Sequence, residues 1–91
     1  MQVWKISIAV DDKEHAFELP SMARVVHVAC QDQKIRARVE AWLLVEPSYP
    51  NETRKFRAYG TGQPIAEPSK YLGTALTDKG EFVWHLFESI K

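Results

Sequence analysis

Residues 34–45 read Lys34-Ile35-Arg36-Ala37-Arg38-Val39-Glu40-Ala41-Trp42-Leu43-Leu44-Val45, the longest patterned run in the chain. Odd positions Ile35, Ala37, Val39, Ala41, Leu43 and Val45 are apolar. Arg36, Arg38 and Glu40 between them are charged, and then Trp42 and Leu44 are apolar as well. Alternation with period two sets these groups on opposite faces of a strand. The first half has one wet face; the second half is apolar on both, as in a strand covered from two sides. Arg, Ala, Glu and Leu also favour helices, and Ile35, Val39 and Trp42 are helically spaced. The flanking segments decide for a strand, because they alternate too.

Toward the N-terminus, Trp4, Ile6, Ile8 and Val10 alternate with Lys5, Ser7 and Ala9 over residues 2–10. After the charged turn Asp11-Asp12-Lys13-Glu14 the alternation resumes from His15 through Phe17 and Leu19, so the two segments read as a hairpin that Pro20 stops. A third strand spans Arg24 to Gln31, with Val26, Val28 and Cys30 on one face and Val25, His27 and Ala29 on the other. Toward the C-terminus, Pro47-Ser48-Tyr49-Pro50-Asn51 is a loop. A fifth strand, Arg54 to Tyr59, sets Phe56 and Ala58 against Lys55, Arg57 and Tyr59. Gly60-Thr61-Gly62-Gln63-Pro64 breaks regular structure, and Ala66 to Lys70 is loop or at most one helical turn. Tyr71 to Leu76 is a short strand weakened by Gly73, and Asp78-Lys79-Gly80 is a hairpin loop with Gly at the left-handed position. The last strand, Glu81 to Phe87, carries Phe82, Trp84 and Leu86 on one face and Val83, His85 and Phe87 on the other. Its two apolar faces make it central or partner-facing. The expected fold is one all-β domain over residues 1–91, a single antiparallel sheet or partly open barrel of about seven strands.

A chain of 91 residues has room for one core, which its three tryptophans and four phenylalanines can largely fill. Twelve basic and twelve acidic side chains cancel. Nucleic-acid binders usually carry a basic excess, so the balance argues against that class and is compatible with a homodimer. Cys30 is the sole cysteine, so no internal disulfide forms. No secretory signal and no run of membrane-spanning length is visible, which leads us to expect a cytosolic protein.

Few residues suggest chemistry. The amides of Gly60, Thr61 and Gly62, with Tyr59, Tyr71 and nearby basic residues, could hold a nucleotide phosphate or another small anion. No Gly-Lys-Ser/Thr follows, so this is not a P-loop, and such glycines more often permit positive φ. His27 and Cys30 fall on opposite faces of their strand and cannot form a nucleophile–base pair. His15, His27 and His85 lack metal-ligand spacing, and no cofactor or metal is expected. Arg36 and Arg38 share one strand face and Lys55 and Arg57 another. If those strands pair, they form a basic patch, joined by Arg24 and Arg54, that suits an acidic surface. Trp42, Leu44, Val83, His85 and Phe87 lie on the second face of core-forming strands, a face that must be covered. Either another protein or a second copy covers it, or residues 61–70 fold back over it.

Val3-Trp4-Lys5, Glu18-Leu19-Pro20, Leu44-Val45-Glu46-Pro47, Thr53-Arg54-Lys55-Phe56, Gly60-Thr61-Gly62-Gln63-Pro64-Ile65, Tyr71-Leu72-Gly73-Thr74 and Val83-Trp84-His85-Leu86-Phe87-Glu88 occur in that order. This pattern resembles a family of small bacteriophage and prophage proteins with no assigned function. The resemblance covers most of the chain, and its specific pieces are Gly-Thr-Gly-x-Pro-Ile and Val-Trp-His-x-Phe-Glu. The family more often has His where this chain has Gln63, and the segment between Gln31 and Trp42 is longer here. The resemblance implies a phage-encoded cytoplasmic protein and supplies no catalytic mechanism. Together with the spare apolar face, it leads us to expect a non-enzymatic protein that occludes a surface on a host protein, as anti-CRISPR-like inhibitors of bacterial defence do. The apolar residues named above, rimmed by Arg36, Arg38, Lys55 and Arg57, would then meet the partner.

Overall fold

A computed structural model of the chain describes residues 1–31, 38–77 and 80–90. They form seven strands: β1 (Gln2–Ala9), β2 (His15–Pro20), β3 (Arg24–Ala29), β4 (Arg38–Val45), β5 (Asn51–Gly60), β6 (Ser69–Thr77) and β7 (Phe82–Ser89). Every pairing is antiparallel, and no α-helix occurs among the described residues. The strands divide into two packed sheets, a three-stranded one in the order β1-β4-β3 and a four-stranded one in the order β2-β5-β7-β6. β7, apolar on both faces, is central in its sheet, one of the two places expected for it, and β4 is central in the other. The strand read from Lys34 is described from Arg38 onward; residues 34–37, Arg36 among them, lie outside the described residues.

The period-two apolar sets meet between the sheets. Ile8, Val39, Leu43 and Val45 of the smaller sheet face Leu19, Phe56, Ala58, Ala75 and Leu86 of the larger, all nearly or fully buried. Each large side chain withdrawn from water contributes about 1.5–3 kcal/mol, so this double layer is the main source of stability.

The expected hairpin of the first two segments does not form. β1 pairs with β4, and β2 pairs with β5 in the other sheet. The charged turn carries the chain round a corner of the sandwich, with Asp12 at φ 64°. A short polar turn with a left-handed Asp serves a corner as well as a hairpin, because Asp tolerates that conformation. The β6–β7 hairpin forms as expected, with Gly80 at φ 86°.

Two bulges disturb the alternation. In β3 the register shifts between Val25 and His27, leaving Val26 half-exposed while Val28 packs on the core and Cys30 is buried. Burial, and secondarily the nearby Glu40 carboxylate, push the Cys30 thiol pKa up, which disfavours its reactive thiolate. In β6 the shift falls between Tyr71 and Gly73.

Polar clasps complete the packing. Arg54 lies inside, donating to Glu88 from Nε at 2.6 Å and from Nη2 at 2.8 Å, and from Nη1 to the Ala23 carbonyl. The fork ties the β2–β3 link to the far sheet. Its bonds to Glu88 raise the Arg54 pKa above its ordinary value. Glu40, expected on a wet face, is buried and accepts from Ser7 Oγ at 2.8 Å and from the Gln31 amide at 2.9 Å.

Candidate binding face

The outer face of the larger sheet gathers Lys55, Arg57, Tyr59, Tyr71, Val83, His85 and Phe87, half of the residues singled out from sequence. Register aligns them in rows across β5, β7 and β6. Lys55, Ser89 and Ser69 form one row; Arg57, Phe87 and Tyr71 the next; Tyr59, His85 and Thr74 the third; Val83 and Leu76 follow. Phe87 is the hub, with the Tyr59 ring 5.6 Å away at 90° and the Tyr71 ring 5.5 Å away at 61°. Edge-on rings at such separations attract by about 0.5–1.5 kcal/mol beyond burial, which holds the row rigid. The Arg57 guanidinium lies 4.6 Å over Tyr59, and its Nε is buried without a hydrogen-bond partner.

His85 is held at both ring nitrogens. Nε2 meets Thr61 Oγ1 at 2.8 Å and Nδ1 meets Thr74 Oγ1 at 3.0 Å; Thr74 in turn meets the Tyr71 hydroxyl at 2.5 Å. A neutral imidazole satisfies this with one nitrogen donating and the other accepting. The two threonine hydroxyls fix the orientation of the His85 ring.

The 61–68 segment folds back over part of this face. The Ala66 amide donates to the Tyr59 hydroxyl at 3.3 Å, and the Ile90 amide donates to the Pro68 carbonyl at 3.2 Å. Tyr59 is consequently 2% exposed, whereas Tyr71 and Leu76 are each 55% exposed and Val83, His85 and Phe87 are half-buried. Folding back and an open face thus coexist, because the segment meets Tyr59 and His85 but leaves Tyr71 and Leu76 on β6 exposed.

The glycine turn uses part of its own donor set. The Gly60 amide donates to Gln63 Oε1, the Gln63 amide returns to the Gly60 carbonyl at 3.2 Å, and Gln63 Nε2 reaches Asp12 Oδ1 at 3.3 Å. Gly62 sits at φ 89° with open space around it, so its lack of a side chain serves backbone conformation. Gln63 is the residue that closes the turn.

Other expected site residues lie elsewhere. Trp42 and Leu44 are on the outer face of the smaller sheet, where Trp42 packs 5.5 Å from His27, and Leu44 pairs with Val3 and Arg24. The expected basic patch does not assemble. β4 and β5 belong to different sheets, so Arg38 and the Lys55–Arg57 pair are on opposite sides of the sandwich, and Arg54 points inward to Glu88. Lys55 instead shares a shallow cavity of about 190 Å³ with Glu14, Thr53 and Ser89. Sequence reading missed Thr74 and Leu76, which the β6–β7 register sets opposite His85 and Val83. No group of three or more His, Cys, Asp or Glu among the described residues is placed to hold a metal. No helix among them is long and apolar enough to cross a membrane.

Fold and face define a small antiparallel two-sheet β protein with an aromatic, cation-bearing sheet surface. The chain belongs to the family of a domain of unknown function, DUF7352, whose model matches residues 1–91. No curated protein and no solved structure matches it.

Proposed function

We propose that this is a non-enzymatic binding protein whose working surface is the outer face of the four-stranded sheet. The observation that carries the reading is the row Arg57–Phe87–Tyr71, continued by Val83 and Leu76, on a face that the 61–68 segment touches at Tyr59 and His85 while Tyr71 and Leu76 stay exposed. Aromatic residues fixed in place before association lose little entropy on binding, and aromatics and arginine dominate interface energetics. The resemblance to small phage and prophage proteins supports a host protein of bacterial defence as the partner, bound in the host cytoplasm and inhibited by occlusion. Lys55 and Arg57 on this face suit an acidic partner surface.

The test is affinity capture from bacterial lysate with the native chain, a Tyr71→Glu/Leu76→Glu variant and a Val3→Lys variant. The native chain and Val3→Lys should recover the same partner, and the double variant, still folded by thermal melt, should lose it. No partner for the folded native chain, or equal recovery with all three, overturns the reading.

A second reading rests on the Arg57 Nε, buried without an acceptor. Here Arg57 and Lys55, with Tyr59, Thr61 and Tyr71, would hold a nucleotide or other small anion. A ligand at 100 times its Kd stabilises by about 2.7 kcal/mol, so thermal melts with a nucleotide panel decide it. A shift lost in Arg57→Leu supports this reading, and no shift with any anion removes it.

A further inference from the structure

We infer that two copies of the chain pair through β1, antiparallel about a two-fold axis at Ile6, so that their three-stranded sheets join into one. The two sheets have four edges: β1, β3, β2 and β6. Three are blunted. β3 and β6 each carry a bulge, and β2 is six residues long and ends at Pro20. Bulges, proline and short length are the usual protections against edge-to-edge pairing. β1 has none of them: it runs eight residues in unbroken register with β4, contains no proline, and has Lys5 as its only charged side chain. Among the described residues, no backbone hydrogen bond outside the strand ladders begins or ends on β1. Its outer row of amides and carbonyls is therefore a regular template with no backbone partner among the described residues.

The side chains select a second copy as the occupant. Two-fold antiparallel pairing keeps inward residues beside inward residues only when the paired numbers sum to an even value. With Ile6 on the axis, Ile6 meets Ile6, Trp4 meets the second copy's Ile8, Lys5 meets its Ser7, and Val3 meets its Ala9. This register uses all of β1 but Gln2. An axis at Lys5 sets like charges opposite each other, and an axis at Trp4 or Ser7 engages a shorter stretch. Val3, 61% exposed in the single chain, gains cover from Ala9. A chain with zero formal charge adds little net repulsion to the approach. The pairing leaves the outer face of the four-stranded sheet open on both copies, so the dimer would present two binding faces.

Sedimentation velocity on the full chain at rising concentration should give twice the single-chain mass of 10.5 kDa. Val3→Lys, at an exposed position and close to Arg38 of the facing copy in this register, should return it to the single-chain mass with its melting temperature retained. Val3→Cys/Ala9→Cys should form a covalent dimer on mild oxidation, because directly opposed Cβ atoms lie about 4.5–5.5 Å apart, while neither single variant should. A single-chain mass at every concentration, a Val3→Lys dimer, or cross-linking by Val3→Cys alone overturns the inference.

Discussion

Gly73 and Val28 lock the two sheets together: a Cβ built on Gly73 would lie 2.8 Å from Val28 Cγ2 and 2.9 Å from Val28 Cβ. The Val28 side chain of β3 fills the space over Gly73 of β6, so no side chain fits at position 73. Gly73→Ala should therefore destabilise the fold by roughly 1–3 kcal/mol through overpacking. Val28→Ala in the same chain should recover part of that loss, a coupling of about 0.5–3 kcal/mol between contacting residues. Urea melts of the two single variants and the double variant measure it. Strict additivity would show that the close approach is relaxed in solution.

Arg54 and Glu88 are a buried bidentate pair, with side chains 16% and 9% exposed. Removing one partner strands the other charge, so Arg54→Ala or Glu88→Ala should each cost about 3–5 kcal/mol. Replacing both with apolar residues of similar volume, Arg54→Met/Glu88→Leu, should cost less than either alanine variant. Chemical denaturation of the three decides whether the pair is worth more than its own desolvation.

The inward apolar set was legible in sequence because alternation reports which face a residue occupies. Ile6, Ile8, Val39, Leu43, Phe56 and Leu86 all point where period two puts them. Alternation says nothing about which strand lies alongside, which is why the first two segments read as a hairpin though they belong to opposite sheets. The same blindness merged Arg38 with Lys55 and Arg57, and Trp42 and Leu44 with Val83, His85 and Phe87. Each set lies on the outer face of its sheet, but the outer faces are on opposite sides of the molecule. Bulges at Val26 and Leu72 add an unpaired residue that periodicity alone does not reveal. The clamp of Thr61 and Thr74 on His85 is visible only once β7 is set beside β6 and the glycine turn is closed.

Asp11 accepts from His15 Nε2 at 2.7 Å and from the Lys13 amide at 3.1 Å. The His15 bond is the larger cause holding its pKa below the ordinary 3.8. A carboxylate depressed in the folded state contributes stability that is present above its unfolded pKa and lost as pH falls through the folded one. The window therefore lies below pH 3.8 and extends down through the lower folded value. NMR titration of the Asp11 carboxyl should give a midpoint under 3.8 that moves up toward that value in His15→Ala. An unchanged midpoint would assign the depression to the Lys13 amide and charge instead.

Gly60 and Gly62 test whether the turn is built for conformation or for a ligand. Gly62 has φ 89° and nothing within 4 Å of an added Cβ, so the penalty of Gly62→Ala is purely that of the left-handed backbone, about 1–2 kcal/mol. Gly62→Asn should lose less, since Asn visits that region more readily. At Gly60 a Cβ would meet Gln63 Oε1 at 3.4 Å and a Trp84 ring carbon at 3.5 Å, close to ordinary contact, and the Gln63 side chain can yield. Gly60→Ala should accordingly be the milder substitution of the two alanines. Thermal melts give the ranking. If Gly62→Asn keeps the fold and any anion-induced shift, the glycine serves backbone geometry; if the shift vanishes while the fold stays, the turn contacts the anion through an unhindered backbone.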